Sequence, residues 1–259
     1  MIGPTPLLDF FKRGDVARDV RLLAAQGALA PRAYEQLAIL ILLIDDADPD
    51  IRETAELTMG RIPIDALTGF LARSDIPVGM REFFGDRGIF PAEIPAIEAE
   101  AEMPLIDTDP FDALEEEAGE HESAVQRIAR MGFPEKLRAA VKGTKEMRSI
   151  LIRDPNKMIA ASVLSSPKVA EAEIESFARM ANVSDEILRM IGNNRAWTKN
   201  YGVIVGLTKN PKTPLAMSLN FMNRLSDRDM QMLSVDRNVP EPLRIAARKR
   251  VVANTSGKR

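Results

Sequence analysis

The chain has 259 residues, 45% hydrophobic but only 5% aromatic, and it contains no cysteine. That composition excludes disulfides, thiolate metal sites and cysteine nucleophiles, and its wealth of Ala, Leu, Ile and Met favours helix over strand. A net charge of −3 hides a polarised layout: residues 1–87 carry 10 basic and 14 acidic groups, 88–126 carry none and 12, and 127–259 carry 25 and 12. Like-charge blocks and unequal halves point towards charged partners.

The opening, Met1-Ile-Gly-Pro-Thr-Pro, has no basic stretch leading into an apolar one and does not read as a signal peptide. The longest apolar run is Leu37 to Ile44, eight residues where a bilayer needs ~20. A cytoplasmic location is the expectation. Asp46-Ala-Asp48-Pro-Asp50 starts like a calcium-binding loop. Ile51 then stands where the turn needs Gly, and Leu57 where the bidentate Glu belongs, so an inter-helix turn is the better reading.

Residues 91–125 are acidic and broken by proline, with few apolar residues at helical spacing, and read as a flexible linker. Within it Phe111-Asp-Ala-Leu114 could fold on binding. His121, the only histidine, lies between Glu120 and Glu122, and with no second His and no Cys in the sequence it reads as a solvated residue.

Beyond the gap, Lys142-Gly143-Thr144-Lys145 lacks the order of a phosphate-binding loop, and no dinucleotide or nucleophile-elbow signature occurs. Ile174, Phe177, Ala178 and Ala181 share one helix face, as do Leu215, Leu219 and Met222. Thr213 before Pro214 reads as a cap with proline at the first helical position, and Ser226 with Asp229 as a capping box. Pro63, Pro77, Pro240 and Pro242 punctuate in the same way. About ten to thirteen short helices are expected, with no strand. Residues 253–259 read as a disordered polar tail.

The helices look repeated. An apolar residue followed by Arg recurs at Ile51-Arg52, Met80-Arg81, Leu137-Arg138, Met147-Arg148, Leu188-Arg189 and Leu243-Arg244. Asp- or Asn-rich turns lie near many of these, at Asp48, Asp154, Asn194 and Asp236, the last three spaced 40 and 42 residues apart. In this reading Asp48, Arg52, Asp154, Asn194 and Asp236 are repeat-structural. The acidic residue or Asn ends one helix and caps the next, and the apolar residue docks on the preceding helix pair.

Asp48-Pro49-Asp50-Ile51-Arg52-Glu53-Thr54-Ala55 resembles the inter-helix turn of HEAT-type repeats, and the degenerate spacing is similar to leucine-rich-repeat-variant α-solenoids. Residues 153–250 resemble bacterial HEAT-like proteins of unassigned function. The resemblance spans about residues 30–85 and 130–250. It implies an all-α, right-handed stack of short helix pairs with a partner-binding surface, and it carries no catalytic residue. Four segments follow: an N-terminal block, 1–90; the acidic linker, 91–125; a basic block, 126–252; and the tail, 253–259.

The basic block holds the candidate binding surface: Arg195, Trp197, Lys199, Tyr201, Lys209, Lys212, Arg244 and Arg248. Trp197 and Tyr201, four apart, are expected to share a helix face. Two functions compete. One is a non-enzymatic scaffold or adaptor that binds another protein through an extended helical surface. The other is nucleic-acid binding by the basic block, with residues 91–125 as an autoinhibitory mimic. No cofactor, metal ion or catalytic group is expected.

Overall fold

The computed structural model describes residues 5–30, 32–97, 103–106 and 123–256. Among these residues the fold is all-α: sixteen α-helices and one 3-10 turn, with no strand. That exceeds the ten to thirteen helices expected. All but the last are seven to twelve residues long.

The helices start where the sequence supplies an acceptor. Asp48, Ser123, Thr144, Asn156, Ser184, Asn200 and Ser226 each stand at an N-cap and accept a hydrogen bond from a first-turn N–H. Those N–H groups have no partner inside the helix, so each cap removes an orphan donor.

The first compact unit comprises residues 1–168. Its helices are α1 (Pro6–Arg13), α2 (Arg18–Ala25), α3 (Ala33–Ile44), α4 (Pro49–Gly60), α5 (Ile64–Leu71), α6 (Val78–Gly85), α7 (Ala124–Arg130), α8 (Phe133–Lys142), α9 (Lys145–Leu151) and α10 (Lys157–Val163). The units therefore part at residue 168/169, and not within 91–125 as the charge gap suggested. The physical reason lies in one shared core: Leu137 and Val141 of α8 and Met158 of α10 cluster with Leu7, Leu8, Leu37, Leu40, Phe70 and Phe84. α1 packs on α10 and α2 on α8. Ser165 Oγ also accepts from the N–H of Leu7, an orphan donor in the first turn of α1, at 3.2 Å.

The acidic stretch is tied down where it is described. The N–H groups of Ala92 and Ala96 donate to the carbonyls of Thr68 and Gly69 at 3.0 and 2.8 Å. Gln36 makes a two-way amide pair with the backbone of Ile106. Residues 91–97 and 103–106 are thus a strap on the first unit, not a free tether. Phe111–Leu114 and His121 lie outside the described residues.

The second unit, residues 169–259, holds α11 (Glu171–Arg179), α12 (Asp185–Asn193), the 3-10 turn (Trp197–Lys199), α13 (Tyr201–Lys209), α14 (Leu215–Met222), α15 (Asp227–Val235) and α16 (Glu241–Ser256). α16 continues through Ser256, so residues 253–256 are helix end rather than tail.

The 40- and 42-residue spacing proves to hold three helices, not two. The sets α2–α4, α8–α10, α11–α13 and α14–α16 share one plan, in which the third helix packs on both the first and the second. In the last three sets a Ser or Thr caps the second helix, at Thr144, Ser184 and Ser226, and the Asx turn follows ten residues later, at Asp154, Asn194 and Asp236. There the side chain accepts from the N–H two residues on: Asp154 from Asn156, Asn194 from Ala196 and Asp236 from Asn238, at 2.8 to 2.9 Å. In α2–α4 the matching turn is Asp46-Ala47-Asp48, where Asp46 accepts from the N–H of Asp48 and Asp48 from that of Asp50.

The apolar–Arg pairs also acquire a mechanism. Ile51, Met80, Leu137, Met147, Leu188 and Leu243 are all buried. In three of the pairs the Arg donates to carbonyls at a helix end or in the adjoining loops. Arg52 donates to Asp46 and Ala47 at 2.6 and 3.1 Å, Arg81 to Leu71 at 2.9 Å and to Arg73, and Arg148 to Gly143 and Lys168 at 2.7 and 3.2 Å. A guanidinium there satisfies orphan acceptors and meets the negative end of the helix dipole.

Arg148 is only 4% exposed, whereas the Arg189 side chain is 59% exposed and pairs with Asp185 on its own helix. Arg148→Ala strands the buried Gly143 carbonyl and removes a partly buried bond to Lys168, and it is expected to cost about 2–3 kcal/mol. Arg189→Ala is expected to stay within about 0.5 kcal/mol. Urea denaturation of the two variants checks the contrast, and equal losses would contradict the back-bonding role.

Candidate functional site

The proposed basic surface separates into groups that serve the fold and groups that face solvent. Asn200 caps α13, its Oδ1 accepting from Gly202 N–H at 2.8 Å, and its extended backbone breaks the chain direction between Trp197 and Tyr201. Trp197 therefore lies on the 3-10 turn and Tyr201 on the following helix. The shared helix face expected for the pair does not exist. Trp197 is half-buried and Tyr201 is 43% exposed.

Asp229 on α15 is the hub of this region. Its Oδ2 accepts from the Tyr201 hydroxyl at 2.7 Å and the Ser226 hydroxyl at 2.9 Å, while Oδ1 pairs with Lys209 Nζ at 3.1 Å. Tyr201 in turn accepts from Ser226 N–H at 2.9 Å. The capping box expected for Ser226 and Asp229 is thus altered: Ser226 Oγ does accept from Asp229 N–H, but the tyrosine replaces the carboxylate on the Ser226 N–H. The hydrogen bond from Tyr201, then those from Lys209 and Ser226, hold the Asp229 carboxyl below its ordinary range, against the opposing effect of burial. Tyr201 and Lys209 are thereby committed to binding α13 to α15.

The other cations divide similarly. Arg248 Nε donates to the Ser234 carbonyl at 2.8 Å, and Arg244 lies 3.7 Å from Glu241. Arg195, Lys199 and Lys212 are exposed. Asn210, which the sequence did not single out, does more than a turn residue usually does. Its Oδ1 accepts from Lys212 N–H at 3.0 Å, and its Nδ2 donates to the carbonyls of Ala178 and Met180 at 2.9 and 3.0 Å. It closes the C-terminal ends of α11 and α13 together. Thr213, read as a cap, instead buries its hydroxyl without a hydrogen bond, and α14 starts after Pro214.

Over α11 and α13 lies an open groove of about 510 Å³, lined in part by Arg179, Ala181, Val205, Gly206, Lys209 and Asp236. A second depression of about 400 Å³ continues along α11 past Arg179 and Glu175, which form an ion pair. The groove depends on the closeness of the two helices. A Cβ at Gly206 would stand 3.1 Å from both Ala178 Cβ and Arg179 Cγ. The sequence signal for this was a glycine inside an apolar helical stretch, which marks close approach. The first unit has a comparable groove of about 430 Å³ whose lining includes Leu23 and Gln26 near α2 and Thr54, Leu57 and Arg61 near α4, again over the first and third helices of a set.

Asp46, Asp48 and Asp50 are arranged as structural charges. Arg18 pairs with Asp48 and Asp50 at 2.5 and 2.7 Å, and Arg21 with Asp46 at 3.3 Å. The hydrogen bond from Arg18, reinforced by those from the Asp50 and Ile51 backbone, lowers the Asp48 pKa. Among the described residues no group of three or more His, Cys, Asp or Glu side chains is placed to hold a metal ion, and no helix is long and apolar enough to cross a membrane. No protein-family model, no curated protein sequence and no solved structure matches the chain.

Because folding depresses the Asp229 pKa, its stabilisation is complete above the unfolded carboxylate value of about 4 and fades as pH falls through the lower folded value. The stability advantage of the natural chain over Asp229→Asn is expected to be full at neutral pH and to shrink below about pH 4. Tyr201→Phe, which removes two partly exposed hydrogen bonds, is expected to cost about 1 kcal/mol. Thermal unfolding across pH checks both, and an advantage over Asp229→Asn that does not vary with pH would contradict an anionic hub.

Proposed function

We propose that this protein is a non-enzymatic interaction scaffold, an α-solenoid-like stack whose repeats present binding grooves to another protein. The observation that carries the reading is the recurrence of one three-helix plan with an open groove over its first and third helices, at α2/α4 and again at α11/α13. Repeats of this kind stabilise one another through nearest-neighbour packing and leave extended faces free for a partner. The HEAT-like resemblance supports the same idea at a coarser level, although the repeat holds three helices rather than a pair.

The electrostatics favour structure over proton transfer. The carboxyl groups with depressed pKa, Asp48, Asp75 and Asp229, are each held by a named donor: Arg18, Arg73 and Tyr201. Catalytic acids and bases are instead tuned towards the working pH. The nucleic-acid reading is weakened because Tyr201 and Lys209, two of its central residues, already bind Asp229.

The test is recovery of the intact, tagged chain from its native cell after brief crosslinking. The scaffold reading expects the same partner protein at near-stoichiometric yield in repeated preparations, and consistent recovery of the chain alone would overturn it. In parallel, a labelled duplex and a labelled single strand are titrated onto the chain across salt. Affinity no tighter than the non-specific range, about 10⁻⁵ M at physiological salt, is expected. Much tighter binding with a steep salt dependence would favour nucleic acid instead.

A further inference from the structure

The last two helices of the second unit carry most of the exposed large hydrophobic side chains among its described residues. Among the described residues of that unit, the exposed large hydrophobic side chains are Tyr201, Met232, Val235, Ile245 and Val252. Tyr201 is accounted for by Asp229. The other four lie on α15 and α16, so the exposed apolar surface is concentrated on one helical hairpin.

On α16 these residues form a stripe. Ile245, Arg248, Lys249 and Val252 fall at i, i+3, i+4 and i+7, one face of the helix. The opposite face is spent on the core: Leu243 and Ala247 are fully buried, with Ala246 and Val251 packed beside them. Ile245 is 43% and Val252 65% exposed. Arg248 and Lys249 are exposed between them, and no acidic residue follows Glu241 in the chain. The Arg248 bond to Ser234 fixes that guanidinium beside the stripe.

The preceding repeat gives the comparison. With the start of α13 aligned on that of α16, Val203 and Leu207 match Leu243 and Ala247, and all four are buried. The stripe positions differ. Ile245 matches Val205, which is half-buried, and Arg248 matches Thr208, which is fully buried. Lys249 matches Lys209, which is half-buried and paired with Asp229, so the face that α13 partly covers is more exposed on α16, where Arg248 adds a second cation.

We propose that this face of α16 docks an acidic amphipathic helix of another protein. The occupant places apolar residues seven apart against Ile245 and Val252, and carboxylates between them against Arg248 and Lys249. A helical stripe of this spacing is best matched by a second helix. The sign of the partner follows from the charge: two cations and no carboxylate lie within the stripe. A second copy of the chain is disfavoured, since facing stripes would bring four cations together. Aliphatic residues at the two ends offer no stacking platform for bases, which argues against a nucleic acid. The proposal rests on the scaffold reading and names the chemistry of one partner site.

The test is a selection of displayed 16-residue helical peptides, randomised on one face, against the intact chain. Enriched sequences are expected to carry Asp or Glu between two apolar residues seven positions apart. A labelled peptide of the winning sequence is expected to lose affinity by about tenfold against Lys249→Glu and against Ile245→Ser. Val252→Ser replaces Ile245→Ser if the latter shifts the melting temperature. Enrichment of basic peptides, no enrichment, or binding indifferent to these substitutions would overturn the proposal. So would dimerisation or duplex binding abolished by Lys249→Glu. Partners recovered from the native cell equally well with Lys249→Glu would refute this site while leaving the scaffold reading intact.

Discussion

The architecture depends on one short-range interaction: an Asp or Asn side chain that accepts the backbone N–H two residues ahead, where one helix ends and the next segment begins. Helices of seven to twelve residues are too short to hold themselves in water, where about 12–15 residues are marginal. They persist only if packed, and packing demands sharp reversals every dozen residues. Each reversal leaves backbone donors outside the helical ladder, and in these exposed or partly buried turns a side chain takes them up. Asp46, Asp48, Asp154, Asn156, Asn194, Asn200, Asn210 and Asp236 each supply the missing acceptor. Asn194, Asn210 and Asp236 do so with an extended backbone at the helix C-cap, which redirects the chain so that the next helix can start.

Much of this was legible in the sequence, because the turn chemistry is local. Asp154, Asn194 and Asp236 could be read as turns, and their spacing as a repeat, without any knowledge of distant contacts. What the spacing could not reveal was the number of helices it holds, since two helices of moderate length fill 40 residues as well as three short ones. The extra break between α11 and α12 is Met180-Ala-Asn-Val-Ser184, with neither Pro nor Gly, and an apolar helical pattern runs up to it. The Trp197/Tyr201 pairing failed for a related reason. Spacing of four implies a shared face only in an unbroken helix, and Asn200 ends one segment to cap the next.

The remaining differences come from long-range contacts. The acid-rich composition of 91–125 suggested a tether, yet the Gln36 amide meets Ile106 across 70 residues and two backbone bonds lay Ala92 and Ala96 along α5. Composition does not encode such pairings. The same holds for Asp229, where Tyr201, Lys209 and Ser226 converge from three places in the chain. These contacts also decide what the cations are for. Lys209 holds helices together, Arg248 bonds the Ser234 carbonyl while its side chain stays exposed, and Lys249 and Arg195 lie at the surface. A basic half is therefore partly an internal adhesive, and only the remainder is available for recognition.

The central claim is that the chain is built from interchangeable three-helix repeats closed by Asx turns. It is tested most directly by removing one repeat. Deleting residues 197–236 joins Ala196 to Arg237, so that α16 follows α12 in the place and register of α13. Leu243 and Ala247 then take the core positions of Val203 and Leu207. Circular dichroism of this chain is expected to show helix content reduced in proportion to the residues removed, with one cooperative thermal transition retained for the shortened unit. Loss of that transition, with helix content falling well beyond the deleted share, would contradict a modular repeat.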